Sequence, residues 1–298
     1  MIEHNITISP YWNIRKLQIV PKHRVSYLEF GDPNNKEVAL CIHGISRNAH
    51  DFDYLSQALS KDFRVISINM PGRGSSEWFK NAKYYNYHTY IHDILHILKK
   101  LRIPSVHYVG TSMGGLIGMA IATYYRKYIK TLVINDVGPE IPKSTIVRME
   151  KYLGLDPVFD TEDAAKVHMK MILKNFGISE DVHWDYITKN SIALRSDGKY
   201  RLHYDPRVLE GKSEERRPSR YHDQNFIDLW YIWHKVIHPL LLIHGENSDI
   251  LLSSTIAKMQ STRDFDIHRV ANAGHAPALF DVKDIEVIHK WLTLKSSL

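Results

Sequence analysis

Residues Tyr108–Gly118 read YVGTSMGGLIG, with glycines at 110 and 114 bracketing one serine. Glycine costs backbone entropy and buries no side chain, so each needs a steric reason. The preceding segment, SVHYVG, reads as a strand, and residues from about Met113 to Tyr125 read as a helix. Gly110-Thr111-Ser112-Met113-Gly114 then fits G-x-S-x-G, a sharp strand-to-helix turn that lifts a serine hydroxyl clear of a sheet. Side chains two residues either side of Ser112 would strike neighbouring backbone, which accounts for both glycines. The helix start presents unpaired N–H groups that favour a developing negative charge. A phosphate loop is a competing reading, but no Gly-Lys-Ser/Thr follows. A turn built for packing alone is the other, and the strand–turn–helix context argues against it.

Working outward, strand-like and helix-like segments alternate. RKLQIV and HRVSYLEFGD read as two strands joined around Pro21, and EVALCIHG as a buried strand ended by glycine. AHDFDYLSQALS has helical spacing, FRVISINMPGRG is a strand running into a turn, and a helix is expected from about Tyr87 to Leu101. KTLVIND, PLLLIHG and DIHRV complete the strands, and DVKDIEVIHKWLTL is the last helix. Short apolar strands alternating with helices predict an α/β fold, a mostly parallel sheet with helices on both faces.

Residues 140–235 lack a convincing buried strand and read as a helical cap inserted into a core of residues 1–139 and 236–298. TEDAAKVHMKMILKNFG is an amphipathic helix: Thr161 or Asp160 can cap it, Gly177 can end it, and Ala165, Met169, Ile172, Leu173 and Phe176 form one stripe. Trp230 and Trp233 stand three apart, spaced for a shared helical face and explained as well by core packing.

The totals exclude several classes. Hydrophobic residues make up 44% of the 298, enough for a proper core, yet no run approaches the ~20 apolar residues that span a bilayer. The N-terminus shows no apolar signal region. Cys41 is the only cysteine, so no disulfide framework exists and a reducing, cytoplasmic setting is expected. The formal charge is +6, but the basic residues are scattered or interleaved with acids, as in EGKSEERRPSR, and no nucleic-acid motif is present. His88, His92 and His96 share a helical face without further ligands at metal-like spacing, so a solvent-facing stripe is expected and no metal site.

At this point the chain resembles the α/β-hydrolase fold superfamily over nearly its full length. CIHGIS looks like that family's His-Gly loop, and NMPGRGSS is similar to its D-x-P-G-x-G-x-S turn, with Asn69 where aspartate is more usual. GTSMGG matches the elbow, and NAGHAPALF resembles the loop that carries the catalytic histidine. The resemblance implies a serine hydrolase with Ser112 as nucleophile and His275, alone among 18 histidines on a glycine-bordered loop after the last strand, as base. It leaves the acid open between two places. The commoner is the loop Gly245-Glu246-Asn247-Ser248-Asp249, where the usual Gly-x-x-Asp position holds serine and Asp249 follows one residue late. The other is Asp136, at the end of TLVIND, a position some members use together with Gly-x-Asn-Ser in the later loop. Asp136 is favoured. Backbone N–H groups of Ile45 and Met113 are the implied oxyanion donors, and His43 is read as structural.

Serine at the elbow excludes the dehalogenase and epoxide-hydrolase relatives, which use aspartate there. The expected reaction is hydrolysis of a carboxylic ester or thioester of a small acyl substrate, with no metal, nucleotide or flavin. The alternatives are a C–C bond hydrolase of meta-cleavage products and a non-catalytic ligand-binding homologue.

Overall fold

Most of the apolar runs become strands buried on both faces. The computed structural model describes residues 1–15, 17–215 and 225–296. Its eight-stranded sheet holds β1 (Ile2–Ile8), β2 (His23–Phe30), β3 (Val38–Ile42), β4 (Arg64–Ile68), β5 (Val106–Thr111), β6 (Ile129–Asn135), β7 (Leu240–Gly245) and β8 (Asp266–Val270). The spatial order is β1-β2-β4-β3-β5-β6-β7-β8; β1 and β2 run antiparallel to their neighbours and every later pair is parallel.

The helices are α1 (Asp53–Leu59), α2 (Tyr87–Lys100), α3 (Met113–Tyr124), α4 (Lys143–Leu153), α5 (Glu162–Ile172), α6 (Asp181–Ser191), α7 (Trp230–Trp233), α8 (Ser253–Thr262) and α9 (Val282–Ser296). Successive residues of a strand point to opposite faces, and two core layers result. Leu40 and Ile42 join Ile94, Ile97, Ile117 and Ile121 of α2 and α3, whereas Ala39 and Cys41 join Leu55, Leu59, Ile288 and Leu292 of α1 and α9. Helices therefore cover both faces, as expected. Burial pushes the Cys41 thiol up to about 12, so it behaves as a small core residue.

Three sequence expectations need correction. RKLQIV is a strand only over Gln18–Val20, which pairs with Tyr11–Asn13 in a separate hairpin outside the main sheet, while β2 pairs antiparallel with β1 and β4. As an edge strand, β1 buries only Ile6 and Ile8 deeply, too few to give it a strong apolar signature. The segment between β6 and β7 also contains short strands: Glu140–Pro142 pairs with Phe226–Asp228, and Val158–Phe159, Tyr200–Leu202 and Ile192–Leu194 form a small sheet. Strands of two or three residues are too short to display alternation and take their pairing from distant sequence. Finally, α5 starts where expected, with Thr161 Oγ1 accepting from Ala164 N at 3.1 Å, but it ends at Ile172 rather than Gly177. Gly177 lies beyond it at φ +74°, packed against Ala273.

On α2, Asn86 accepts from Thr89 N at 3.0 Å as N-cap, and Lys99 and Lys100 sit where the helix dipole favours cations. His88, His92 and His96 are half-buried rather than solvent-facing, because Tyr11 stacks on His92. Among the described residues no three or more His, Cys, Asp or Glu side chains group as metal ligands, and no helix is long and apolar enough to cross a membrane.

Candidate active site

The steric demand of the elbow explains the glycines. A Cβ on Gly110 would lie 2.5 Å from the Gly114 backbone, and one on Gly114 would lie 2.0 Å from the Ile42 carbonyl oxygen. Between them β5 turns into α3 within one residue, and Ser112 takes φ 51°, ψ −111°, a strained left-handed value for a side chain with a Cβ. Ser112 N donates to Asn135 O at 2.9 Å, which ties the turn to the end of β6.

Three side chains from separate loops meet there. Ser112 Oγ lies 2.9 Å from His275 Nε2, and His275 Nδ1 lies 3.0 Å from Asp136 Oδ2. Asp136 follows β6 at φ 58° and is fully buried, and Ala276 beside the histidine has φ 60°. Positive φ in three non-glycine residues at one point marks a backbone held against local preference.

The Asp136 carboxylate accepts from five donors. Oδ1 receives His244 Nδ1 and Gly245 N, each at 3.1 Å; Oδ2 receives Ser248 Oγ at 2.6 Å, His275 Nδ1 at 3.0 Å and Ala276 N at 3.2 Å. Burial by itself would raise its pKa; hydrogen bonds from His244, His275 and Ser248, with the charge of His275, outweigh that and hold it below the ordinary carboxylate value. Asp249 is not in this cluster. Its side chain is 40% exposed and forms an ion pair with Arg148, and its carbonyl accepts from Thr145 Oγ1. Ser248, standing where Gly-x-x-Asp would place an acid, instead donates to the Asp136 carboxylate just past the end of β6. The His244 ring completes the same shell, although its buried Nε2 has no hydrogen-bond partner among the described residues.

The loop after β3 borders the serine: a Cβ on Gly44 would lie 3.9 Å from Ser112 Cβ. His43 is fully buried; Nδ1 donates to Gly44 O at 2.6 Å while Nε2 accepts from Met70 N at 3.0 Å, which requires the neutral ring. Burial, then the charge of Arg73, pushes its pKa down to about 3. Between the unfolded value near 6.5 and that point, the unfolded chain binds a proton that the folded chain refuses. Stability from His43 is therefore full above about pH 6.5 and is lost as pH falls. We expect urea unfolding to show a loss of about 2 kcal/mol from this group between pH 7 and 5, a loss that His43→Gln removes. An unchanged pH dependence in that variant would contradict the neutral assignment.

Sequence reasoning overlooked Arg73, within PGRG. It is fully buried; Nε donates to Ile45 O at 2.8 Å, Nη1 to Pro71 O and Tyr90 Oη at 2.7 Å each, and Nη2 lies 3.8 Å from Met113 Sδ. Its guanidinium also lies over the Tyr90 ring, 5.1 Å from the centroid. Among the described residues no carboxylate forms an ion pair with it, so a buried cation held by carbonyls, a hydroxyl and aromatic faces touches both residues expected to donate to an oxyanion. The motif was visible; the burial was not. Asn69 serves as a connector, accepting from Ala49 N at 2.8 Å and donating to Ser26 Oγ at 2.9 Å.

The segment between β6 and β7 is tied to these loops. Arg47 Nη1 donates to Ser191 Oγ at 2.8 Å, Gly74 N to His203 O at 3.0 Å, and Gly274 N, next to the histidine, to Asn175 O at 2.6 Å. Trp233 lies elsewhere, its indole N–H on Thr262 and its ring against Phe265.

A family model for the alpha/beta hydrolase fold matches residues 38–282. The chain belongs to the α/β-hydrolase fold family. It is similar to the 3-hydroxybutyrate-oligomer hydrolase of Cupriavidus necator, 33% identical over 282 residues that cover 91% of this chain and 93% of that one. Among solved structures, a Rickettsia typhi protein is 41% identical with a TM-score of 0.92, covering 99% of both chains. An alpha/beta hydrolase from Novosphingobium aromaticivorans is 28% identical with a TM-score of 0.82 over 98% of both. By family and by its relatives, this α/β-hydrolase is a hydrolytic enzyme.

Proposed function

We propose that this enzyme hydrolyses carboxylic esters of short hydroxyacyl oligomers through a Ser112 acyl-enzyme, with His275 as base and Asp136 as the acid of the triad. The observation that carries the reading is the hydrogen-bond chain from Ser112 Oγ through the His275 ring to the buried Asp136 carboxylate. A serine hydroxyl is nearly inert at neutral pH and gains nucleophilicity from a base that takes its proton as it attacks.

In this mechanism Ser112 Oγ adds to the ester carbonyl while its proton passes to His275 Nε2. Asp136 fixes the Nδ1–H tautomer and stabilises the imidazolium that forms. Main-chain N–H groups of Ile45 and Met113 receive the oxyanion, each such donor typically worth about 2.7–4 kcal/mol in the transition state. The Arg73 charge behind both residues has the sign that favours that oxyanion. Collapse breaks the C–O bond, His275 protonates the leaving alcohol, and the acyl group stays on Ser112. Water then adds by the same route, with His275 as base again, and releases the acid.

In this reading residues 140–235, of which 216–224 lie outside the described residues, act as a cap over this site, with 1–139 and 236–298 as the core. The ester assignment draws on the Cupriavidus necator relative, since oligomers of 3-hydroxybutyrate are chains of esters. The test offers 3-hydroxybutyrate dimer and trimer, p-nitrophenyl butyrate, a butyryl thioester and a vinylogous diketone, and measures acid released. Turnover of the oligomers and the butyrate ester is expected. Cleavage of the diketone or thioester with the esters untouched would overturn the substrate class.

A further inference from the structure

The hairpin of Tyr11–Asn13 and Gln18–Val20 has two unlike faces. Val20 is fully buried on the inner one, where Tyr11 stacks on His92. Their chain neighbours Trp12 and Ile19 pair across the strands on the outer face and are 55% and 59% exposed, while Ile14 and Leu17 in the turn are 75% and 74% exposed. Singly exposed apolar residues are ordinary on a surface; a cluster of four large ones marks an interaction site.

The hairpin tip reaches the far end of α3. The Arg15 guanidinium lies 5.8 Å from the Tyr124 ring centroid, and the Lys235 ammonium lies 6.0 Å from the same ring. Exposed Tyr124 and Tyr125 adjoin exposed Arg126 and Lys127, and Arg126 Nη2 donates to the Lys235 carbonyl at 3.2 Å. Three stretches of chain converge there, and none carries an acid: no Asp or Glu occurs between Glu3 and Glu29, between Asp93 and Asp136, or between Asp228 and Glu246. The three stretches are therefore apolar, aromatic and basic, with Asp264 lining a pocket beside His234 and Val236 at their margin.

We propose that this face docks on an anionic lipid surface, with Trp12, Ile14, Leu17 and Ile19 entering the headgroup boundary and Arg15, Arg126, Lys127 and Lys235 meeting lipid phosphates. The charge pattern selects this occupant. A second copy of the chain across a twofold axis would set these three basic stretches against themselves. A nucleic acid would match the cations but leave the aliphatic side chains on a polar partner. Lipid headgroups over acyl chains supply both complements. Because α3 runs about 18 Å from its start beside Ser112 to Tyr124, the docked enzyme keeps its elbow away from the bilayer.

The test is co-sedimentation of the full chain with phosphatidylglycerol-containing vesicles and with pure phosphatidylcholine vesicles. Binding is expected to the anionic vesicles alone and to weaken as salt rises to about 0.5 M. Trp12→Ala with Ile19→Ala, and separately Arg15→Glu with Lys127→Glu, should each weaken partitioning by about tenfold or more, with thermal melts unchanged. Should the apolar pair fail to fold, the charge pair decides, since its side chains are exposed. No binding to anionic vesicles, or binding that the folded variants retain, overturns the proposal. So does a concentration-dependent dimer in sedimentation velocity that the hairpin variants abolish, or RNA binding with no affinity for vesicles.

Discussion

Ser112→Ala is expected to lower ester turnover by roughly 10⁴- to 10⁶-fold and to abolish covalent labelling by a fluorophosphonate, read by intact mass. The magnitude follows from the way triad members act as one unit: without the nucleophile, only substrate binding and oxyanion donors remain. The fold should survive. Ser112 holds the turn through its main chain, N–H on Asn135 O and C=O on Leu116 N, and alanine keeps both bonds. Alanine also inherits the same φ of 51°, so no new backbone strain enters. An unchanged melting temperature with labelling lost would isolate the hydroxyl as the missing part. Labelling or turnover that persists in the variant would remove Ser112 from the mechanism. A folded wild type that takes no label, and yet binds a small ligand, would favour the non-catalytic reading of the same fold.

How far the sequence could be read depended on whether the controlling interaction was local. The elbow was legible because its glycines are forced by contacts within a few residues and with the adjacent strand end, and the alternation of β3 through β7 was legible because both faces are buried. By contrast, β1 is an edge strand whose pairing with β2 the pattern scarcely signals, and the short strands between β6 and β7 find their partners up to 88 residues away, as Glu140 does in Asp228. The site divided in the same way. The pairing of Ser112 with His275 was suggested by their flanking residues, and the two side chains meet at 2.9 Å. The choice between Asp136 and Asp249 could not be closed, since both follow strand ends and only the three-dimensional placement of the His275 loop separates them. Arg73 and His244 were passed over because arginine in a turn and histidine before glycine are unremarkable until their burial is known.

Asp136→Asn is expected to reduce kcat by about 10⁴-fold, through loss of the correct histidine tautomer, whereas Asp249→Asn should leave it nearly unchanged. The asymmetry follows from what each carboxylate touches. Five donors converge on Asp136 in a fully buried site. An amide there turns one acceptor into a donor that faces other donors, leaving buried groups unsatisfied at about 1–3 kcal/mol each, so the melting temperature should fall as well. Asp249 loses only an exposed ion pair with Arg148, worth at most about 1 kcal/mol. Labelling rates and kcat for both variants check the ranking, and the reverse order would move the acid to the later loop. A double variant separates lost charge from damaged packing. Ser248 Oγ lies 2.6 Å from Asp136 Oδ2, so Asp136→Asn with Ser248→Asp returns a carboxylate to the neighbourhood of His275 Nδ1. If Asp136 acts by holding the imidazole and its charge, the double variant should regain part of the rate lost in the single one. If its role were only to pack the turn after β6, the second substitution would crowd the site further and the rate would stay low.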